Sequence, residues 1–196
     1  MTTLNLDRNY FGSKDSYQIF MIDPPWNKKK AGYRKVRPAQ TSDFPYKTLS
    51  TDEIFRFICD CIIPMADQVH CIFMWTIESY LIECELQMRL LGYKMHSRLI
   101  WDKGNGIAPA FTIRFCHEYL IWYYKPKLMP VDRAMRGRFS TVMYERARQH
   151  SRKPNIAYHL LDTLYPNTTK LDVFSREKRT GWEQYGDQPD YYKSNS

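Results

Sequence analysis

The chain alternates between short apolar runs and stretches whose apolar positions recur at helical spacing. Tyr17–Ile22 (YQIFMI) is a compact run of strand formers that stops at Asp23-Pro24-Pro25, which predicts a buried strand ending at a stiff loop. From Asn27 to Tyr46 the chain is basic, is interrupted by Gly32, Pro38 and Pro45, and has no periodicity that could bury a face, so a long loop is expected. Ser50 and Glu53 have the spacing of a capping box, and Ile54, Ile58, Cys61 and Ile62 then recur until Pro64, predicting a helix. Val69–Thr76 reads as a second strand, and Glu78–Leu91, closed by Gly92, as a second helix. Two further strands are expected at Ser97–Trp101 and Glu118–Tyr124, with Lys103–Ala110 between them as an exposed loop. After a basic, poorly periodic section, Lys125–Arg152, a helix begins at Pro154 and carries Ile156, Leu160, Leu161 and Leu164. Leu171–Phe174 is a last short strand.

Strands alternating with helices imply an α/β fold with an open, mostly parallel central sheet and helices on both faces. Ligands of such sheets sit beyond the carboxyl ends of the strands. Asp23, Trp101–Lys103 and Phe174–Arg176 all fall at expected strand ends, so they can converge on one crevice.

Composition narrows the class. A length of 196 residues suits one domain over the whole chain, with polar ends at 1–16 and 189–196 that read as flexible. No apolar run approaches the ~20 residues of a bilayer span, since Val69–Leu91 is interrupted by Glu78, Glu83 and Glu85, and no membrane partner is expected. The five cysteines form no C-x-x-C pair, so neither a metal site nor a disulfide framework is expected. With no secretory signal in the first residues, the setting reads as reducing and cytoplasmic. The net charge of +8 points to an anionic partner such as nucleic acid, although many solvated surfaces are as basic. Two clusters carry that charge: Lys28, Lys29, Lys30, Arg34, Lys35 and Arg37 directly after the proline loop, and Arg133, Arg136, Arg138, Arg146, Arg148 and Arg152 later.

The tetrapeptide Asp23-Pro24-Pro25-Trp26 carries the most specific chemistry. The 6-amino nitrogen of adenine is a weak nucleophile because its lone pair is delocalised into the ring. A site that alkylates it needs acceptors around the amine: an ionised Asp23 takes one N–H, and the Pro24 carbonyl takes the other. Two prolines stiffen the loop and remove backbone donors. Trp26 offers a flat face for a base swung out of its helix; read without that function, it is an ordinary core tryptophan.

At this point the sequence resembles a known family, the adenine-N6 methyltransferases typified by the catalytic subunit of the eukaryotic mRNA adenosine methyltransferase, with bacterial and phage relatives acting on DNA. Beyond the tetrapeptide, Pro45-Tyr46-Lys47-Thr48-Leu49-Ser50, Phe73-Met74-Trp75-Thr76, Leu99-Ile100-Trp101-Asp102-Lys103, His117-Glu118, Ser151-Arg152-Lys153-Pro154, Lys170–Arg176, Gly181-Trp182 and Gly186-Asp187-Gln188 look like the family's blocks in its order. The resemblance implies a circularly permuted Rossmann-like methyltransferase fold with S-adenosyl-L-methionine as cofactor. It also implies that Ile22, Asp23, Lys153, Asp172, Val173, Phe174, Arg176, Asp187 and Gln188 hold that cofactor, with Lys153 toward its carboxylate. Asp172 stands where the family usually has Glu, and Asp187 where it usually has Asn. The small chain looks like the stand-alone type, which favours DNA over RNA, with a homodimer or a protein partner as the possible assembly. The remaining alternatives are an RNA target and a non-catalytic nucleic-acid-binding protein of the same fold.

Overall fold

The computed structural model describes residues 16–27, 48–107, 113–149, 151–186 and 191–192. β1 (Tyr17–Ile22) opens it, as its apolar run predicts. α1 (Thr51–Phe57) starts at the expected capping box: the Ser50 hydroxyl accepts from the Glu53 N–H, and the Glu53 carboxylate accepts from the Ser50 N–H at 2.8 Å. Toward Pro64 the helix widens into a π turn at Ile58–Ile62 and tightens into a 3₁₀ turn at Ile63–Met65. β2 (Ala66–Thr76) follows directly, and then α2 (Leu81–Leu90), after which Gly92 adopts φ 83°, a left-handed conformation.

β3 (Lys94–Ile107) is longer than expected. Residues 103–107, read from their glycines and polar residues as loop, continue the strand, because the ladder to β4 (Phe115–Lys125) resumes at Ile107 opposite Phe115 after a break in register. Backbone pairing across a hairpin needs no apolar side chain, so the pattern gave no sign of it. The rest of the expected loop, 108–110, lies outside the described residues. β5 (Val142–Tyr144) arises inside the section that shows no periodicity, and β7 (Glu183–Tyr185) was likewise not expected. Between them, α3 (Asn155–Leu164) and β6 (Lys170–Val173) match the pattern, except that Phe174 leaves the strand with φ 61°.

The seven strands form one sheet in the order β5-β3-β4-β2-β1-β6-β7. β1 pairs in parallel with β2 and β6, β6 with β7, and β3 with β5; β4 alone runs against its neighbours β2 and β3. Six strands therefore share one direction, and their carboxyl ends share one edge. Alternation along β1 sends Phe20 and Ile22 to one face, with Ile54, Ile58, Cys84 and Met88 of the α1 and α2 layer. Ile19 and Met21 go to the other face, with Ala157, Leu160 and Leu161 of α3. Burial of each of the Phe, Ile, Leu and Met side chains among these contributes about 1.5–3 kcal/mol. Among the described residues no helix is long and apolar enough to cross a membrane.

Candidate active site

Asp23 is the first residue past β1, and its N–H donates to the Val173 carbonyl at 3.2 Å, which ties the loop to the neighbouring end of β6. The two prolines that follow turn the chain sharply. The Trp26 N–H returns to the Pro24 carbonyl at 2.8 Å, and the Leu49 N–H takes the Pro25 carbonyl at 2.9 Å. A carbonyl oxygen has two lone pairs, so Pro24 retains acceptor capacity after this bond. Trp26 itself is only 5% exposed. Its indole N–H donates to the Trp75 carbonyl at 3.0 Å, and its ring stacks on Tyr80 with centroids 4.9 Å apart. It packs into the core below the loop, which accords with the core reading of this residue.

The Asp23 carboxylate does not join that core. Its Oδ1 stands 3.0 Å from the Lys153 ammonium, which also donates to Glu118 Oε2 at 2.8 Å. The other Glu118 oxygen accepts from Lys103 at 3.3 Å. A chain of alternating charge thus links the end of β1, Lys103 within β3, Glu118 within β4 and the approach to α3. Lys153 also lies 5.1 Å from the centre of the Trp75 ring. Burial alone would lower the Lys153 pKa, but the charges of Asp23 and Glu118 outweigh it and hold the ammonium above the ordinary lysine value.

A second wall comes from β6. Asp172 is buried and accepts from the Tyr158 hydroxyl at 2.9 Å. Burial pushes its pKa up to about 7, against the opposing help of Tyr158 and Arg179. Arg179 lies over the Tyr158 ring at 3.7 Å and pairs with Glu177 at 2.6 Å, and Arg152 reaches the same carboxylate at 3.0 Å. Burial would raise the Glu177 pKa, but these two guanidinium groups bring it below the ordinary value. Arg176 is held by the C-terminal pair: its guanidinium lies 3.8 Å from the Tyr191 ring, and its carbonyl accepts from the Tyr192 N–H at 3.0 Å. At the end of β7, Gly186 passes so close to β6 that a Cβ there would come within 2.5 Å of the Ser175 carbonyl.

Asp23, Lys153, Asp172, Phe174 and Arg176 line one pocket, closed on one side by Tyr192. Carboxylates, cations and aromatic rings meet there, a set that suits a small ligand bearing both charges and a base. Ile22 and Val173 have no side-chain exposure; they belong to the core and can meet such a ligand only through their backbone. Lys28, Lys29, Lys30, Arg34, Lys35, Arg37, Asp187 and Gln188 lie outside the described residues. Arg133, Arg136 and Arg138 are exposed but precede β5, a strand parallel to β1, so they stand toward the amino ends of the parallel strands, away from Asp23. Arg152 does reach the pocket. Glu118 and Tyr158 were given no role from the sequence; their spacing from Lys153 and Asp172 carries no signal, and only the fold brings them together.

A family model described as MT-A70 matches residues 17–188. The chain is similar to the type II methyltransferase M.MunI of Mycoplasma, 23% identical over 188 residues that cover 88% of this chain and 78% of that protein. It is similar to a probable N(6)-adenosine-methyltransferase MT-A70-like protein of rice, Oryza sativa, 24% identical, and spans 23% of its length. With the N(6)-adenosine-methyltransferase catalytic subunit METTL3 of Homo sapiens it shares 24% identity over 89% of this chain and 28% of that protein.

Proposed function

The chain belongs to the MT-A70 family, and on that premise we propose that it is an S-adenosylmethionine-dependent methyltransferase that forms N6-methyladenine in nucleic acid, with DNA favoured over RNA. The observation that carries this reading is the Asp23 carboxylate, at the rim of a charged pocket and oriented by the half-buried ammonium of Lys153. The preference for DNA is supported by the likeness to a type II methyltransferase, which the match covers over 78% of its own length.

The donor set fits the cofactor. Lys153 has three N–H bonds, of which two serve Asp23 and Glu118, and the third suits the cofactor's carboxylate. Asp172, Phe174 and Arg176 present hydrogen-bonding and stacking surface for a ribose and base. Bound there, S-adenosylmethionine supplies an electrophilic methyl group on sulfonium.

The protein's own part is to make a poor nucleophile available. Asp23 accepts one hydrogen of the adenine amine, and the remaining lone pair of the Pro24 carbonyl accepts the other. Both acceptors stand where positive charge grows on the nitrogen as the bond forms, so they stabilise the transition state more than the ground state. Lys153 fixes the carboxylate before the base arrives, so little reorganisation is left for the reaction itself. The amine's surplus proton leaves after transfer, when its acidity has risen, and needs no strong base. Trp26 braces the loop from below, and the stiffness of the two prolines keeps both acceptors in place.

The test is transfer of labelled methyl from S-adenosylmethionine to adenine-containing duplex DNA, single-stranded DNA and RNA. Asp23→Asn, which keeps the shape but adds a donor, is expected to lower the rate by about a hundredfold or more, the scale of losing one transition-state acceptor. Full activity of that variant in a folded protein removes Asp23 from the mechanism, and activity on RNA alone reverses the substrate preference.

A further inference from the structure

The loop that carries the two acceptors is anchored along its length. Its entrance is fixed by the Asp23 N–H on the Val173 carbonyl, and its middle by the Leu49 N–H on the Pro25 carbonyl. Its exit is gripped at two points by one side chain, Tyr80. The Tyr80 ring lies flat on the Trp26 indole, with centroids 4.9 Å apart and planes 16° from parallel. The Tyr80 hydroxyl donates to the Asn27 carbonyl. A stack fixes the tilt of the indole, and the hydrogen bond fixes where the chain leaves it. The Trp26 N–H in turn donates to the Pro24 carbonyl at 2.8 Å, so a displaced Trp26 moves an acceptor of the adenine amine.

Tyr80 is itself held. It ends a 3₁₀ turn, Glu78–Tyr80, just past the carboxyl end of β2. Its N–H donates to the Ile77 carbonyl at 2.9 Å, and the Tyr119 hydroxyl donates to Glu78 Oε2 at 2.8 Å. Tyr119 follows Glu118 on β4, and alternation along the strand sends the two to opposite faces of the sheet. Glu118 holds Lys153, and through it the Asp23 carboxylate. Tyr119 holds the turn, and through Tyr80 the loop's exit. Consecutive residues of one strand thus brace the two acceptors from either side. Tyr80 packs half-buried on the α1 and α2 layer and is not among the residues that line the pocket.

We propose that Tyr80 is a positioning residue for methyl transfer, holding the Pro24 carbonyl through Trp26 and Asn27 where the adenine amine meets its second acceptor. The inference rests on the methyltransferase reading of the site and adds to it a side chain from outside the pocket.

Steady-state transfer of labelled methyl to an adenine-containing oligonucleotide, run below the melting temperature of each protein, tests it. Tyr80→Phe keeps the stack and removes the hydroxyl, and is expected to lower kcat by about two- to tenfold, the scale of one hydrogen bond. Tyr80→Ala removes both grips and lowers kcat by about tenfold or more, because small displacements of an acceptor are costly. KM for S-adenosylmethionine keeps its wild-type value in both variants. In hydrogen exchange the Trp26 and Leu49 amides, which are bonded to the Pro24 and Pro25 carbonyls, open faster in Tyr80→Ala, and Tyr80→Phe falls between it and the wild type. Full kcat in either variant of an active enzyme, or a raised KM for S-adenosylmethionine at constant kcat, overturns the proposal alone. A wild type that transfers no methyl to DNA or RNA overturns the reading of the site, and this proposal with it.

Discussion

Asp172 combines two demands that pull against each other. It lies at the end of β6, where it lines the pocket, and it is buried deeply enough that its carboxylate is costly to ionise. Its folded pKa of about 7 stands above the ordinary 3.8, so the folded state keeps a proton that the unfolded chain releases. Stability attached to this group is therefore greatest below 3.8 and is lost as pH rises to about 7, beyond which no further loss accrues. The buried His70 works in the opposite direction, since burial lowers its pKa and its contribution disappears as pH falls below 6.5. Denaturant melts of wild type and Asp172→Asn across this range isolate the effect: the wild type is expected to lose stability relative to the variant as pH climbs. Parallel curves for the two proteins refute the assignment. Asp23, Lys153, Asp172 and Arg176 were all legible as candidates, because each sits in a block whose order resembles a family. Glu118 and Arg152 sit in such blocks too, but their roles here did not show, and Tyr158 sits in none, since a partner found across the fold leaves no trace in local spacing.

At the scale of elements, the sequence was informative wherever a side-chain pattern defines the structure. The capping box at Ser50 and Glu53, the run of β1 and the apolar stripe of α3 all correspond to observed elements. It was silent where the backbone alone does the pairing. β5, β7 and the far half of β3 are held by backbone pairing with neighbours on the sheet, and the one buried apolar residue of β5, Met143, is too short a signal to set a period. β7 nonetheless shapes the site, because it closes on β6 where Ser175 and Arg176 enter the pocket. Only glycine fits at 186: an added Cβ would lie 2.5 Å from the Ser175 carbonyl, a backbone atom that cannot step aside. Gly186→Ala is therefore expected to push β6 and β7 apart, at a cost of about 1–3 kcal/mol in stability. It should also weaken S-adenosylhomocysteine in calorimetry by more than that loss of stability explains, because the Arg176 wall moves with the strand ends. Unchanged affinity in a destabilised protein confines the effect to packing.

Over the whole molecule, the excess of eight positive charges is distributed over a sheet with two unlike ends. The carboxyl ends of the parallel strands carry Asp23 and the charged pocket, and the chain that follows Asp23 holds Lys28, Lys29 and Lys30 within seven residues of it. Arg133, Arg136 and Arg138 belong to the connection that enters β5 at the opposite end. A nucleic acid that delivers a base to Asp23 must cross the first end, and each phosphate neutralised there releases counterions, which steepens the loss of affinity with salt. Replacing Lys28, Lys29 and Lys30 by Gln is thus expected to reduce the slope of log affinity against log salt by about one for each contact removed. The same replacement at Arg133, Arg136 and Arg138 lowers net charge equally but leaves the slope near the wild-type value, because general attraction falls off within a Debye length of about 8–10 Å. Fluorescence anisotropy of a labelled duplex in a salt titration separates the two. Equal reductions from both triple variants establish a footprint that wraps both ends of the sheet, and a reduction from the arginines alone places the path of the nucleic acid across β5.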